Sequence, residues 1–375
     1  MRSIVACFFL VAVALPCHAQ GDKPKPNTLT PEEIANGWIL LFDGETTIGW
    51  KVSSSSAKKD LVASAGALDV SGLGKCEIMI TCSFVEFELQ FEYKSRTDDA
   101  GIMLGRTATF NGDIAGGGMG LKKKLEWTSC VVHVADGDKL INGWRQYKKG
   151  LWTGLTTVSF TQGEQGANLQ LRNIKLRPLN TKSIFNGQDL TGWKEFPGKK
   201  SKFAVIDSAI NVKDGPGDLQ TVGKYKDFVL QLDCISNGKN LNSGIFFRCR
   251  DNEYQNGYEA QIRNEFTEKA TQKYQIEEYD PKTNKLLGKK EQLFTAVDYG
   301  TGAIYRRQPA RKQMSKDGEW FTMTIVAHGN HLATWVNGVQ VTDWYDHRPK
   351  SDNARTGKNS KPATSASRDT TRRRT

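Results

Sequence analysis

Histidine is scarce, at five residues in 375, and His328, His331 and His347 lack the spacing of a zinc motif with a supporting acid. No CxxC pair occurs among the seven cysteines, which argues against a zinc ribbon or a thioredoxin-like centre. Beyond Pro16 there is no apolar run long enough to cross a bilayer, so no membrane span is expected. Helical periodicity is almost missing too, which excludes a bundle or a βαβ rhythm.

The apolar run that does exist lies at the start. "MRSIVACFFLVAVALPCHAQ" has a basic residue, an apolar stretch from Ile4 to Pro16, and small Ala19. It reads as a secretory signal, residues 1–19, cut after Ala19, and makes the protein secreted or periplasmic. Cys17 raises a lipid-anchor alternative, which Pro16 opposes. The remaining thiols are Cys76, Cys82, Cys130, Cys234 and Cys249. That odd, irregular set predicts buried free thiols, with one Cys76–Cys82 bridge as the alternative.

Positive charge is plentiful but unevenly placed. Of the formal +11, residues 348–375 hold +7 and Arg2 another +1, leaving about +3 on the body. A basic face is not required, so a nucleic-acid partner is not expected.

What the chain does contain is alternation. "FVEFELQFEY" (84–93), "FVLQLDCI" (228–235) and "FTMTIVA" (321–327) put apolar residues on one face, and Gly or Asn/Asp turns separate such runs. Ahead of them, residues 20–33 form a linker and a short helix, with Thr30, Pro31 and Glu33 in capping positions. The phrase "FDGETTIGWK" (42–51) returns as "FNGQDLTGWK" (185–194), 143 residues later. "AGIMLGR" returns as "SGIFFRCR", and "EW" returns at 319–320. An all-β chain of two tandem sandwiches is expected, at 34–179 and 180–348.

The repeat is imperfect in two places. Its offset rises from 143 at Gly101/Gly244 to 193 at the second "EW", so the second domain carries about 50 added residues between Cys249 and Glu319. The first domain has the Gly-rich "NGDIAGGGMGLKKK" there. At the other end, "NLQLRNIKLR" (168–177) closes the first domain, whereas residues 349–375 contain no Val, Ile, Leu or aromatic. That predicts a disordered basic tail, and a second sandwich that lacks its final strand or borrows one.

"LFDGETTIGWK", "IFNGQDLTGWK", "NSGIFFR", "GYEAQI", "GAIY" and "WFTMTIVAHGNHLATWVNGVQVTDW" together resemble a family once of unknown function and now named 3-keto-disaccharide hydrolase. It is also described as 3-keto-glucoside 1,2-lyase/2-hydroxy-glucal hydratase. The resemblance covers most of residues 37–348. It implies a concanavalin A-like (jelly-roll) double-sheet fold and carbohydrate partners, namely an oxidised disaccharide or glycoside. The reduced first domain and the missing last strand depart from it.

Cleaving a 3-keto-glycoside by elimination and hydration needs a base for the acidified C2 proton, donors for the enolate and an acid for the leaving oxygen. In "YEAQI", alternation places Glu259 and Gln261 on one face and Tyr258 and Ala260 on the other. Arg248, ending "SGIFFR", can join the first face. Glu259, Arg248 and Gln261 are the candidate catalytic set, against the simpler reading of a solvated Glu259–Arg248 salt bridge. Asn242, Tyr258, Tyr305 and Asp346 are the candidate substrate-binding set, with Asp298 and Asp343 as further strand-end acids. No cofactor is required, and a divalent ion held by Glu259 with Asp or His ligands stays open. The alternatives are a lectin-like carbohydrate-binding module and an inactive scaffold.

Overall fold

A computed structural model describes residues 25–53, 60–106, 117–136, 138–145, 154–163, 168–280, 283, 285–359 and 364–369. The expected signal and its cut site lie outside the described residues. The chain enters through α1 (Pro31–Ala35), whose capping box is formed. Thr30 Oγ1 accepts from the Glu33 amide at 3.1 Å, and Glu33 Oε2 accepts from the Thr30 amide at 2.9 Å.

The first domain's described strands are, in order, β1 (Ile39–Leu40), β2 (Trp50–Ser53), β3 (Val62–Ser64), β4 (Ala67–Asp69), β5 (Cys76–Ile80), β6 (Phe87–Ser95), β7 (Ala100–Arg106), β8 (Gly117–Leu121), β9 (Lys124–Ala135), β10 (Asp138–Ile141), β11 (Trp144–Arg145), β12 (Thr156–Gln162) and β13 (Gln170–Pro178). One antiparallel sheet runs β11-β10-β9-β6-β13-β4-β3, with β1 also on β13; the other runs β2-β5-β12-β7-β8. The alternation read in the sequence becomes the core: along β6 every second residue is buried, starting at Phe87. Phe91 of one sheet meets Phe160 of the other edge-on, with ring centroids 4.9 Å apart. Burial of each such side chain contributes about 1.5–3 kcal/mol.

The second domain continues with β14 (Trp193–Glu195), β15 (Lys202–Ile206), β16 (Ala209–Lys213), β17 (Gly217–Thr221), β18 (Phe228–Cys234), β19 (Ser243–Cys249), β20 (Tyr258–Ile262), β21 (Gln272–Tyr279), β22 (Leu286–Phe294), β23 (Phe321–His328), β24 (His331–Val336), β25 (Val339–Tyr345) and β26 (Thr364–Asp369). Its sheet β14-β17-β26-β19-β20 repeats β2-β5-β12-β7-β8 strand for strand, and β18-β23-β24-β25 repeats β6-β9-β10-β11. β15–β16 and β21–β22 stand as separate hairpins, the latter inside the added segment. The expected turns are present: Asn337 and Gly338 have φ of +47° and +74°, as a tight hairpin requires, and Gly329–Asn330 joins β23 to β24.

The expected disordered tail is corrected for residues 349–359 and 364–369; residues 360–363 and 370–375 lie outside the described residues. Residues 349–359 fold back on the second domain, where Arg348 donates to the carbonyls of Ala354 (2.8 Å) and Gly357 (3.1 Å). β26 then pairs with both β17 and β19, in the place that β12 holds in the first domain. A central strand is held by its backbone ladder on two sides, and Thr, Ser and Ala supply those groups as well as Val or Ile do. A counterpart of β13 is missing among the described residues: β18 ends its sheet, and β15–β16 pair with nothing else.

The two sandwiches share packing. Val326, Ala333 and Trp335, on the sheet beginning with β18, belong to the first domain's core cluster. Trp335 Nε1 donates to the Leu40 carbonyl at 2.8 Å, and Gln231 Nε2 donates to that of Gly37 at 2.9 Å.

Candidate functional site

The pairing of β19 with β20 sets Gly244 opposite Gln261 and Phe246 opposite Glu259. In the first domain the same register sets Gly101 opposite Gly120 and Met103 opposite Gly118. Glu259 and Gln261 thus occupy positions where the first copy has glycines. Glu259 is 6% exposed and lies against Gly244, where a Cβ would meet Glu259 Oε1 at 2.6 Å and its Cγ at 2.8 Å. Only glycine leaves room for the carboxylate there.

The free edge of β20 is covered by "GAIY". The Gln261 amide donates to the Ala303 carbonyl (3.0 Å), Gly302 donates to Gln261 (2.8 Å) and Tyr305 donates to Glu259 (2.9 Å). This brings Tyr305 to Glu259 and Asp298 to Gln261. Asn242 Nδ2 donates to Asp298 Oδ2 at 2.5 Å, and Gln261 Nε2 donates to the Asp298 carbonyl at 3.0 Å. The remaining amide oxygens, Asn242 Oδ1 and Gln261 Oε1, are buried and have no hydrogen-bond partner among the described residues. Buried acceptors of this kind are costly unless a ligand or water satisfies them.

Asp298 and Tyr299 have φ of +47° and +72°, a left-handed backbone uncommon outside glycine and often found at functional sites. Tyr274 of β21 locks that turn: its hydroxyl donates to the Ala296 carbonyl (2.7 Å) and accepts from the Tyr299 amide (2.9 Å). Tyr274, Tyr299 and Tyr305 form a file of rings with centroids 4.5 and 5.2 Å apart. Burial raises all three phenol pKa values, and the charges of Asp298 and Glu259 raise that of Tyr305 further against Arg306. Their hydroxyls stay protonated at neutral pH and serve as donors. The sequence reading missed Tyr274 and Tyr299; the concentration of tyrosine in the added segment was the available signal.

Three expected members lie elsewhere. The β19 register breaks between Phe246 and Cys249, and Arg248 has φ +51°, so its side chain turns away from the Glu259 face. Its guanidinium is fully buried and donates to the carbonyls of Lys226 (2.8 Å), Gly329 (2.6 Å) and Asn359 (3.3 Å) and to Asp227 (3.1 Å). Neither a convergence with Glu259 nor a salt bridge between them occurs. Tyr258 and Asp346 meet each other in the interior: Tyr258 donates to Asp346 Oδ2 at 2.7 Å, and Arg348 holds both Asp346 oxygens at 2.9 and 2.8 Å. Asp346 is fully buried with both oxygens held by these side chains, the arrangement of a structural acid.

Glu259 is also not part of the cluster best suited to a metal. Among the described residues that cluster is Cys82, His331 and Asp343, at the junction of the two domains. His331 Nε2 donates to Asp343 Oδ1 at 2.6 Å, which leaves Nδ1 facing Cys82 Sγ at 3.8 Å. Burial, then the charge of Asp343, pushes the Cys82 thiol well above its ordinary range, so it is a neutral donor there. Thr81 also donates to Asp343, at 2.9 Å. These polar groups satisfy one another, and they act as a latch between domains. Cys82 and His331 are 249 residues apart, so no local spacing could reveal the cluster.

An open groove lies in the first domain. This groove, of about 910 Å³, runs over β5, β7 and β8, floored by Gly101, Gly118, Gly120 and Met119 and edged by Glu77 and Asp99. Glycine stands there where the second domain has Glu259 and Gln261, whose side chains occupy the matching face.

Residues 37–124 and 180–367 match the family described as the 3-keto-alpha-glucoside-1,2-lyase-like domain. The chain belongs to this family. No curated protein matches the sequence. Among solved structures, one similar chain is a suspected glycosyl hydrolase from Parabacteroides distasonis ATCC 8503, at 17% identity and a TM-score of 0.33 over 42% of this chain and all of that one. A second from the same organism has 21% identity and a TM-score of 0.31, over 47% of this chain and 90% of the other. A carbohydrate-binding module from Bacillus subtilis has 13% identity and a TM-score of 0.29, over 48% and 89%.

Proposed function

We propose that the second sandwich cleaves 3-keto-glycosides or 3-keto-disaccharides by elimination followed by hydration. The observation carrying this reading is the enclosed carboxylate of Glu259 beside two unsatisfied amide oxygens, Gln261 Oε1 and Asn242 Oδ1. Those acceptors suit sugar hydroxyls. Glu259 takes the C2 proton, leaving an enolate over C2, C3 and the keto oxygen; its electrons then form the C1=C2 bond as the C1–O bond breaks, and the departing oxygen takes the proton back from Glu259. We assign the donor to the enolate oxygen to Tyr305, whose hydroxyl burial keeps protonated. Water then adds hydroxyl to C1 and hydrogen to C2, giving the free 3-keto sugar. A general base contributes about 10²–10⁴-fold. Glu259→Gln is therefore expected to slow release of 3-keto-glucose from 3-keto-trehalose by that factor, with and without chelator. Undiminished cleavage by the variant would remove Glu259 from the mechanism.

Export belongs to the same proposal: the native protein should begin at Gln20, and N-terminal sequencing that finds Met1 would reject it. The first-domain groove favours a second reading for that copy alone, as a binding platform for carbohydrate. Its flat glycine floor and edging carboxylates suit hydroxyl recognition without a catalytic acid on β8. Substituting Met119→Arg should abolish glycan retention while leaving cleavage intact, and equal retention by both proteins would reject the platform.

A further inference from the structure

The two copies differ by one strand in a way that leaves part of the second core open. In the first domain β13 lies between β6 and β4, and its inward residues Leu171, Ile174 and Leu176, with Leu169 just before it, are all fully buried. In the second domain the strands that repeat β6 and β4 are both present, as β18 and β16, but among the described residues neither pairs with a strand corresponding to β13.

Burial records the same gap. Phe87, Leu89 and Phe91 of β6 are at most 2% exposed, while their counterparts Phe228, Leu230 and Leu232 are only half-buried. Leu68 and Val70 are fully buried, while Ile210 and Val212 of β16 are not. Trp50 Nε1 donates to the Leu41 carbonyl at 2.6 Å, whereas Trp193 Nε1 is buried without a partner and Ile184 is 36% exposed. Three separate walls of one slot are thus unfinished in the second copy and finished in the first. An open sheet edge beside exposed apolar side chains is the usual acceptor for strand addition.

We propose that the slot between β18 and β16 binds an extended strand from another polypeptide, alternating branched aliphatic side chains inward with polar or basic ones outward. The filled slot in the first domain defines that occupant. There β13 runs antiparallel to β6, with Leu176 opposite Leu89 and Arg172 opposite Glu92. Carried across the repeat, an inward aliphatic residue faces Leu230 and an outward basic residue faces Asp233, which is exposed. The inference does not depend on the proposed cleavage reaction, since Glu259 lies on the other sheet.

The test uses the full chain and a labelled peptide with this protein's own residues 168–178, "NLQLRNIKLRP". Anisotropy should show saturable binding, weakened at least about tenfold when Leu169, Leu171, Ile174 and Leu176 of the peptide are changed to Asn, and similarly by Ile210→Asp in the protein. Amide exchange across 228–234 should slow in the wild-type complex, a readout that survives if Ile210→Asp fails to fold. Equal binding of the Asn-substituted peptide, no binding at all, or protection of 228–234 by self-association without peptide would each overturn the proposal.

Discussion

Replacing Arg248 with Met separates an anchor from a catalyst. The substitution keeps an apolar stem of similar length but removes the donors to the carbonyls of Lys226, Gly329 and Asn359 and to Asp227. Those partners belong to the approach to β18, the turn after β23 and the segment before β26, so one guanidinium ties three stretches of the second domain. Asp227 can rehydrate, being about one-third exposed, but a buried network losing its central partner costs about 3–5 kcal/mol. At about 2–4 °C per kcal/mol for a domain of this size, Tm should fall by roughly 6–20 °C. The assay is thermal unfolding followed by circular dichroism, beside cleavage of 3-keto-trehalose well below the lowered Tm. Cleavage per folded molecule should change by less than about tenfold. An unmoved Tm with cleavage reduced about a hundredfold would put the guanidinium at the substrate and refute this assignment.

Gly244→Ala would place a methyl 2.6 Å from Glu259 Oε1 and 3.1 Å from the Ala260 carbonyl, so the acid must move. Cleavage should drop about tenfold or more, with about 1–3 kcal/mol lost in urea unfolding, and full activity would show that the carboxylate's position is not critical. For Asp43, burial raises the carboxyl pKa, but the Glu45 and Thr46 amides and Arg311 outweigh it and bring it below 3.8. Its stabilisation of the domain junction is complete above that value and fades as pH falls through the lower folded pKa. The Tm gap between wild type and Asp43→Asn should therefore close only in acid below about pH 4, and a gap that closes near neutrality would contradict the sign. Burial pushes Cys130 up to about 11 and Cys234 up to about 12, and raises Cys76, Cys82 and Cys249 as well. Cys76, Cys82, Cys130 and Cys249, which are buried, should resist Ellman's reagent at pH 8 until denaturant is added, whereas half-buried Cys234 should react first; rapid native labelling of the four would count against their burial.

The fold was legible because strand alternation and the repeated Phe-to-Trp phrase are local signals. Trp50 and Trp193 begin equivalent strands, and the free thiols are as expected in the described residues. The face shared by Glu259 and Gln261 followed from period two alone. Arg248 misled because alternation assumes an unbroken strand, and the left-handed kink there reverses the side chain. Tyr258 and Asp346 misled because a buried polar pair looks, in sequence, like two polar residues at strand ends. β26 was hidden by its composition, and the Cys82–His331–Asp343 latch by separation along the chain. The first-domain groove was written in "GGGMG", where glycine removes the side chains that fill the second copy, but a missing side chain reads more naturally as a loop.

Trp335 has a consequence for anyone cutting this protein in two. Its ring and the side chains of Val326 and Ala333 belong to one hydrophobic interior but are encoded in the other repeat, so severing the chain near Asn180 would strip a large apolar surface from each half. A fragment carrying only the later repeat should therefore clump when expressed by itself, and its silence in an assay would speak of lost solubility rather than of absent chemistry.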